Sequence, residues 1–276
     1  MQHVEGRLTG VDGVGLYWQG WLPGDAPRGL LLICHGMGEH SGRYTTVRDA
    51  LVPDGWAVYG LDHRGHGRSR GARVHVRRYA HYLADFDTFR RAVTARHPDL
   101  TPFLLGHSMG GQIALAYALD HQDALAGLVL SAPPLTVPPV PRPVRAAYTV
   151  LARVAPTLRR AVVDLSAISR DEAVVAAYRA DTLVHQGYPT IALSLALADR
   201  MDLLLRRAPE VRLPLLLQHG TADRICDPAG TRALAAAVGS PDLTVRWYEG
   251  FWHEIYHEPE RARPLADLRE WLSARR

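Results

Sequence analysis

Residues 102–111, PFLLGHSMGG, decide the fold of this 276-residue chain. The apolar run 103–105 predicts a short buried strand, and GGQIALAYAL, which follows Ser108 and Met109, predicts a helix. The Gly-x-Ser-x-Gly turn between them is typical of a nucleophile elbow, in which glycines relieve the crowding of a sharp reversal. Ser108 is therefore the candidate nucleophile, and a plain glycine-rich turn is the alternative.

The pattern of a short strand followed by a helix, seen around Ser108, recurs along the chain. Short, continuously apolar runs suit parallel strands covered on both faces. The runs lie at 30–34, 56–61, 102–107, 127–132 and 214–220, and a last strand is predicted at 243–248. Helical spacing of apolar residues appears at 79–97, 110–119 and 232–238. The alternation predicts an α/β doubly wound sheet, with an antiparallel hairpin at one edge formed by the first twenty or so residues.

One segment interrupts this alternation. From Pro133 the chain reads PPLTVPPVPRP, which suits neither a helix nor a central strand, and helical patterns then continue with no strand before Leu213. This predicts a helical cap at 133–205, inserted into a core formed by 1–132 and 206–276. The cap carries apolar and basic side chains at Leu151, Arg153, Val154, Leu158, Arg159, Arg160, Val162, Val163 and Leu165. These favour transient contact of the cap with a membrane or micelle surface, and packing on the core is the alternative.

Composition excludes several classes of protein. The net charge is +4. All the basic residues are arginines, and they are scattered among acids without interleaved aromatic residues, so we expect no nucleic-acid partner.

The start of the chain resembles no signal peptide and no apolar run is long enough to span a bilayer, which favours a cytoplasmic protein. Cys34 and Cys226 are expected to be free thiols. No metal-ligand spacing and no cofactor loop is present, so we expect neither a metal nor a cofactor.

A base and an acid are needed to activate a serine hydroxyl. In this fold they follow the serine in the order acid, then histidine, each in a loop after a strand. Asp223 follows the strand at 214–220, and Asp227 is its competitor, although its position before a proline suits a helix cap. His253 follows the last strand and is the predicted base, with His257 as the runner-up.

An oxyanion site also has a sequence signature. One backbone donor is expected from the residue after the nucleophile, Met109, and the other from the loop after the third strand. That loop reads HGMGEH, and its candidate donor is Met37.

Several longer segments carry a family resemblance. They are CHGMGEHSGRY, LDHRGHGRS, GHSMGG, SRDEAVVAAYRADTLVH, HGTADRICDPAG and YEGFWHEIYHEP. Together they resemble the monoacylglycerol lipase family of α/β-hydrolases, including related bacterial lysophospholipases, over nearly the whole chain. The resemblance implies a mostly parallel eight-stranded sheet with helices on both faces, and a triad of Ser108, Asp223 and His253. It also places Glu39 and Arg43 near the alcohol end of the substrate pocket.

The predicted activity is hydrolysis of monoacylglycerol esters to fatty acid and glycerol through an acyl-enzyme. A lysophospholipase or a general carboxylesterase is the alternative with the same chemistry, and a peptidase of the same fold is a third. A ligand-binding receptor on this scaffold is the alternative that lacks catalysis. An epoxide hydrolase or a dehalogenase would need an aspartate at the position of Ser108.

Overall fold

The computed structural model describes residues 1–136, 141–159 and 164–275. The strands are β1 (Gln2–Thr9), β2 (Gly15–Leu22), β3 (Gly29–Cys34), β4 (Trp56–Leu61), β5 (Phe103–His107), β6 (Gly127–Ser131), β7 (Leu215–Gly220) and β8 (Leu243–Tyr248). The α-helices in the described ranges are α1 (Thr45–Leu51), α2 (Ala80–Thr94), α3 (Met109–Asp120), α4 (Arg142–Val154), α5 (Glu172–Ala180), α6 (Ile191–Arg207), α7 (Pro228–Ala237) and α8 (Ala262–Ser273).

The strands form one eight-stranded sheet in the order β1-β2-β4-β3-β5-β6-β7-β8. β1 pairs with β2 and β2 with β4 in antiparallel fashion, whereas every pairing from β4 to β8 is parallel. The predicted mostly parallel sheet with an antiparallel hairpin at its edge is therefore confirmed.

Helices cover both faces of the sheet, because the central strands are apolar on both sides. In β3, Leu30 and Leu32 pack in the cluster that holds the apolar side chains of α2 and α3. Leu31 and Ile33 point the other way, into a cluster with α1 and α8. Each fully buried aliphatic side chain contributes roughly 1.5–3 kcal/mol, so a strand without an exposed face anchors both layers.

The parallel strands bring their carboxyl ends to one edge of the sheet. β3 ends at Cys34, immediately before the HGMGEH loop, and β5 ends at His107, immediately before Ser108. The loops after β7 and β8 hold Asp223 and His253. Side chains separated by more than a hundred residues in sequence therefore meet above this edge.

Among the described residues between β6 and β7, where the sequence predicts the cap, three segments are α-helical: α4, α5 and α6. α6 packs on α3 and contributes Leu193 and Leu197 to the core cluster, as the crossover helix of a parallel strand pair does. α4 contacts α6, and Tyr178 of α5 packs in a separate small cluster with Ile168 and Val184. Of the cap residues named from sequence, Arg160, Val162 and Val163 lie outside the described residues. The boundaries of the cap stay a prediction.

Across the described ranges, we find no helix that combines the length and the apolar character needed to cross a membrane.

Candidate active site

Ser108 occupies a strained turn between β5 and α3. Its φ and ψ angles are 53° and −126°, a conformation with positive φ that side-chain-bearing residues rarely adopt. Gly110 permits the turn to lie against β3, since a Cβ there would come within 2.1 Å of the carbonyl oxygen of Cys34. The hydroxyl of Ser108 is thereby held at the carboxyl edge of the sheet, as the nucleophile-elbow pattern predicts.

His253 and Asp223 form a buried pair beside this turn. Nδ1 of His253 lies 2.7 Å from Oδ2 of Asp223. The other carboxylate oxygen, Oδ1, accepts the backbone amides of Ile225 at 2.8 Å and Cys226 at 2.9 Å. These contacts orient the imidazole so that Nδ1 faces the acid and Nε2 is left for another partner.

The surroundings of this pair change the pKa of both members. Burial would raise the pKa of the Asp223 carboxyl, but the neighbouring His253 and the hydrogen bonds that the carboxylate accepts hold it well below its usual range. Burial would lower the pKa of His253, but the Asp223 carboxylate outweighs burial and raises it. The site therefore contains an ionised acceptor next to an imidazole that is a stronger base than an isolated histidine.

The Ser108 hydroxyl points toward a thiol. Its Oγ lies 3.9 Å from Sγ of Cys226, and no hydrogen bond joins it to His253 among the described contacts. Serine and base are often loosely aligned before substrate binds, and a rotation about χ1 of Ser108 changes the direction of the hydroxyl. Both cysteines are free thiols.

The competing acid and base have other contacts. Asp227 caps α7, since its carboxylate accepts the amide of Ala229 at 2.8 Å. His257 donates from Nε2 to the carbonyl oxygen of Arg43 at 2.9 Å, and its Nδ1 lies 3.2 Å from the carboxylate of Glu254. Both residues are therefore engaged away from Ser108.

Two backbone amides flank Ser108 and are free to act as donors. Met109 is the first residue of α3, and a helix leaves its first amides without an intrahelical acceptor. Neither its amide nor that of Met37 has a partner within the described ranges. The loop of Met37 lies close, because a Cβ on Gly36 would be 3.3 Å from Cβ of Ser108.

Side chains hold the loop of Met37 from two directions. Glu39 accepts the amide of Gly36 at 2.5 Å, and the hydroxyl of Tyr44 donates to the same carboxylate at 2.9 Å. On the other side, His35 accepts the amide of His63 at Nε2, which leaves the proton on Nδ1. That Nδ1–H donates to the carbonyl oxygen of Gly36 at 2.7 Å.

Arg43 lies between two carboxylates. Its guanidinium donates to Glu39 at 3.0 Å and makes a bidentate pair with Glu254 at 2.5 and 2.7 Å. It also stacks over the ring of Tyr178, 4.4 Å from the ring centroid. Glu39 lines the cavity described below, whereas Arg43 is absent from its described lining and lies behind Glu39.

A cavity opens above Ser108 and contains about 670 Å³ of space, part of it open to solvent. Its lining combines the polar side chains of His107, Glu39 and Glu254 with the apolar or aromatic side chains of Leu165, Ile168, Tyr178 and Ile225. The loop at 185–189 completes the wall, and the amide of His185 donates to the carbonyl oxygen of Gly38 at 2.7 Å. Residues between β6 and β7 thus form the cavity together with loops that follow the strands of the sheet.

The polar LDHRGHGRS segment fixes loops outside the cavity lining. Asp62 accepts the amide and hydroxyl of Ser41 at 2.8 and 2.6 Å, and Arg64 makes a bidentate ion pair with Asp85 at 2.5 and 2.7 Å. The Asp62 bonds fix the chain that follows the loop of Met37, and the Arg64–Asp85 pair joins this segment to α2.

Sequence reasoning missed three residues of the site. Glu254 directly follows His253, binds Arg43 and lines the cavity. His219 contacts Asp223, and His107 lines the cavity with its ring centroid 4.7 Å from that of His253. The one available signal for His107 is its position directly before Ser108, at the end of a strand.

Comparisons with known proteins indicate the family of the chain. A family model described as serine aminopeptidase, S33, matches residues 25–260. The chain is 39% identical over 269 residues to a monoacylglycerol lipase of Mycolicibacterium smegmatis, covering 97% of this chain and 96% of that protein. It is 33% identical to the human monoglyceride lipase, covering 98% and 90% of the two chains. The crystal structure of Paleococcus ferrophilus monoacylglycerol lipase superposes with a TM-score of 0.85 at 32% identity, covering 95% and 99%.

Proposed function

We propose a function from the chain's family: it belongs to the serine aminopeptidase S33 family of α/β-hydrolases and, within it, to the monoacylglycerol lipases. The protein hydrolyses the carboxylic ester of monoacylglycerols and releases a fatty acid and glycerol. One observation carries the proposal: Ser108, His253 and Met37 line the same cavity, and Asp223 is hydrogen-bonded to the Nδ1 side of His253.

Acylation begins when Ser108 attacks the ester carbonyl. His253 takes the hydroxyl proton at Nε2 as the Oγ–carbon bond forms, and Asp223 stabilises the resulting imidazolium. The tetrahedral intermediate then breaks its bond to the alcohol oxygen. His253 returns the proton to that oxygen, and glycerol leaves with the acyl group still bound to Ser108.

The oxyanion of the intermediate is bound by the amides of Met37 and Met109. Each donor of this kind contributes about 3–4 kcal/mol to the stability of the transition state. Water next attacks the acyl carbon while His253 removes one of its protons, and the second tetrahedral intermediate breaks its bond to Oγ of Ser108. The proton returns to the serine oxygen and the fatty acid is released.

The apolar and the polar side chains of the cavity lining suit the two parts of the substrate. An acyl chain gains about 0.8 kcal/mol for each CH₂ that it buries against apolar residues such as Leu165, Ile168 and Ile225. Glu39 is at the alcohol end, where a carboxylate suits glycerol hydroxyls, and Arg43 pairs with Glu39 from outside the cavity lining, out of contact with the alcohol.

Two other activities of this fold receive less support. An aminopeptidase needs a carboxylate for the free amino group of its substrate, but Glu39 and Glu254 are both already bound to Arg43. A lysophospholipase would bring a phosphate toward the same two carboxylates, which would repel it. A general carboxylesterase remains the alternative, because the same nucleophile, base and oxyanion donors would act on esters of other alcohols.

Turnover across a substrate panel tests the proposed activity. The panel contains 1-monoacylglycerols, a diacylglycerol, lysophosphatidylcholine and p-nitrophenyl esters, each at several acyl lengths. We expect the highest kcat/KM for monoacylglycerols, and a preference for lysophosphatidylcholine would contradict the proposed substrate. Ser108→Ala should lower kcat by about 10⁵-fold or more for every substrate, and a variant that retains turnover would remove Ser108 from the mechanism.

The cap at 133–205 covers the cavity of a cytoplasmic enzyme and touches lipid surfaces transiently. α4 supports this, because Val144, Val150 and Val154 are exposed, as is Leu158 just beyond it. Replacing Val150 and Val154 by serine should weaken co-sedimentation with anionic vesicles and leave the turnover of dissolved p-nitrophenyl acetate unchanged. Equal vesicle binding by the variant and the natural chain would refute the membrane contact.

A further inference from the structure

Asp223 is contacted by a second imidazole, which the mechanism above does not use. His219 is the fifth residue of β7 and is fully buried. Its Nε2 lies 3.1 Å from Oδ2 of Asp223, the same oxygen that accepts His253. Its ring also stacks on Trp247, with the ring centroids 6.1 Å apart and an angle of 25° between the ring planes.

The neighbours of His219 determine its tautomer. Nε2 lies 3.1 Å from Oδ2 of Asp223 and 3.1 Å from the carbonyl oxygen of Cys226, and both oxygens can only accept. Nε2 therefore carries a proton and shares it between them. Nδ1 lies 2.7 Å from the hydroxyl of Thr231 in α7, which donates to it when the ring is neutral.

With His219 in place, every hydrogen-bond acceptor position of the Asp223 carboxylate has a donor. An ionised carboxylate accepts about four hydrogen bonds, two at each oxygen. Here Oδ1 accepts the amides of Ile225 and Cys226, and Oδ2 accepts the rings of His219 and His253. A carboxylate bound in this way cannot rotate about its Cβ–Cγ bond without breaking several hydrogen bonds together.

We infer that His219 is a positioning residue of the triad, which holds Asp223 Oδ2 on the axis of His253 Nδ1, and that Thr231 fixes the tautomer of His219. The inference rests on the proposed function, because it assigns His219 a purpose only if Asp223 orients the catalytic base. The chain Thr231–His219–Asp223–His253 connects α7 and β7 to the loop after β8. The catalytic imidazole is thereby fixed by regular secondary structure as well as by its own loop.

Matched substitutions at His219 test this role with p-nitrophenyl butyrate as the substrate. His219→Leu removes the donor, whereas His219→Gln retains an amide with two N–H groups for the same two oxygens. We expect His219→Leu to lower kcat about 10- to 100-fold with KM unchanged, as loss of a group that orients catalytic machinery does, and His219→Gln to restore most of it. Folding of each variant is checked by circular dichroism and thermal unfolding, and kcat is expressed per folded molecule.

Substitutions at Thr231 provide a second test that does not require His219→Leu to fold. Thr231→Val should lower kcat several-fold without changing KM, whereas Thr231→Ser retains the hydroxyl and should match the natural chain. In a His219→Gln background the valine substitution should have no further effect on kcat, because a glutamine side chain lacks the ring nitrogen that the hydroxyl serves. A Thr231→Val variant with unchanged kcat would overturn the inference, as would a folded His219→Leu variant with unchanged kcat.

Asp223→Asn separates failure of this inference from failure of the proposed function. Loss of about 10⁴-fold in kcat is expected if Asp223 orients the base. If Asp223→Asn retains full turnover, the triad itself is wrong and the role of His219 falls with it. If Asp223→Asn is inactive while folded His219→Leu is fully active, only the inference about His219 is wrong.

Discussion

His35 donates from Nδ1 to the carbonyl oxygen of Gly36 at 2.7 Å, and that carbonyl belongs to the same peptide group as the amide of Met37. A trans peptide is planar and directs its C=O and N–H in opposite directions. Fixing one end of the group therefore fixes the other. His35 thus sets the direction of an amide that the proposed mechanism uses at the oxyanion.

Replacement of His35 should therefore weaken the oxyanion site. We expect His35→Ala to lower kcat for p-nitrophenyl butyrate by about 10-fold or more, with a smaller effect on KM, since one oxyanion donor contributes about 10²–10³-fold when removed completely. His35→Asn places an amide near the position of Nδ1 and should recover part of the loss. Equal kcat values for the two folded variants would show that the bond to Gly36 does not matter.

Substitution of Gly110 should destabilise the fold. A Cβ at this position would lie 2.1 Å from the carbonyl oxygen of Cys34 and 2.5 Å from that of His35, and backbone atoms cannot move aside cheaply. Gly110→Ala should lower the free energy of unfolding in urea by about 3 kcal/mol or more.

Gly24→Ala is the matched control for Gly110→Ala, because no atom lies within 4 Å of its Cβ position and its backbone is not left-handed. We expect the control to change stability by less than about 1 kcal/mol, and a similar loss in both variants would contradict the prediction.

The pH dependence of turnover should report His253. The imidazole must be neutral to accept the serine proton, and Asp223 raises its pKa. The acidic limb of kcat/KM should therefore have its midpoint above the ordinary histidine value of about 6.5. Residual activity of Asp223→Asn should show a midpoint at lower pH, because the charge that raises the pKa is gone. A midpoint that does not move would exclude Asp223 as its cause.

Arg43 should matter more for stability than for substrate choice. Arg43→Met would leave the nearly buried carboxylates of Glu39 and Glu254 facing each other without a cation, and loss of one partner of a buried ion pair costs about 3–5 kcal/mol. Urea denaturation measures this loss. Arg48→Met is the control, since Arg48 pairs with an exposed carboxylate on Asp49 and should contribute less than about 1 kcal/mol.

The same Arg43 variant also tests the alcohol end of the cavity. Because Arg43 lies behind Glu39, we expect kcat/KM to fall by the same factor for a monoacylglycerol and for the matched p-nitrophenyl ester. A loss confined to the glycerol ester would instead indicate direct contact between Arg43 and the alcohol.

Mild acid should destabilise the protein through buried histidines. Burial lowers the pKa of His35 to about 4 and that of His66 to about 3, and it holds the pKa of His63 well below its usual value. Below pH about 6.5 the unfolded chain binds protons that these folded-state rings exclude, so the free energy of unfolding falls as pH decreases, by about 1.4 kcal/mol per pH unit for each ring.

Urea denaturation between pH 7 and pH 4.5 measures this slope. His66→Asn serves as the matched variant, because asparagine retains a donor for the carbonyl oxygen of Arg64 and cannot titrate. For His66→Asn, the slope of the free energy of unfolding against pH should be smaller by about 1.4 kcal/mol per pH unit, which corresponds to one proton. Identical slopes for the variant and the natural chain would exclude His66 as a source of the acid sensitivity.

The features of the structure that the sequence could predict are those encoded in short local patterns. The turn at Ser108 and the strands of the parallel sheet are encoded in windows of a few residues. The sheet is confirmed by the fold, and the role of Ser108 as nucleophile stays a prediction. The positions of Asp223 and His253 followed from one further rule, that such residues follow the carboxyl ends of strands.

Contacts between distant segments explain what the sequence could not predict. Arg43 and Glu254 are 211 residues apart, and a single sequence contains no signal that the two side chains are in contact. The role of His219 depends on the register of β7 and on the placement of α7, which brings Thr231 to its ring. The direction of the Ser108 hydroxyl depends on a single side-chain torsion, on which the sequence carries no information.

The pairing of β3 with β5 has a consequence for how this enzyme could diversify. Cys34 lies opposite Gly106 in the parallel ladder, so the two loops that carry Met37 and Met109 leave the sheet from adjacent strands. Adjacent strands are spaced about 4.8 Å apart by their hydrogen bonds alone. The sheet thus constrains the distance between the segments that carry the two amides. We expect residues between β6 and β7 to be exchangeable for longer, shorter or bulkier esters, while the gap that the proposed mechanism assigns to the oxyanion keeps its width.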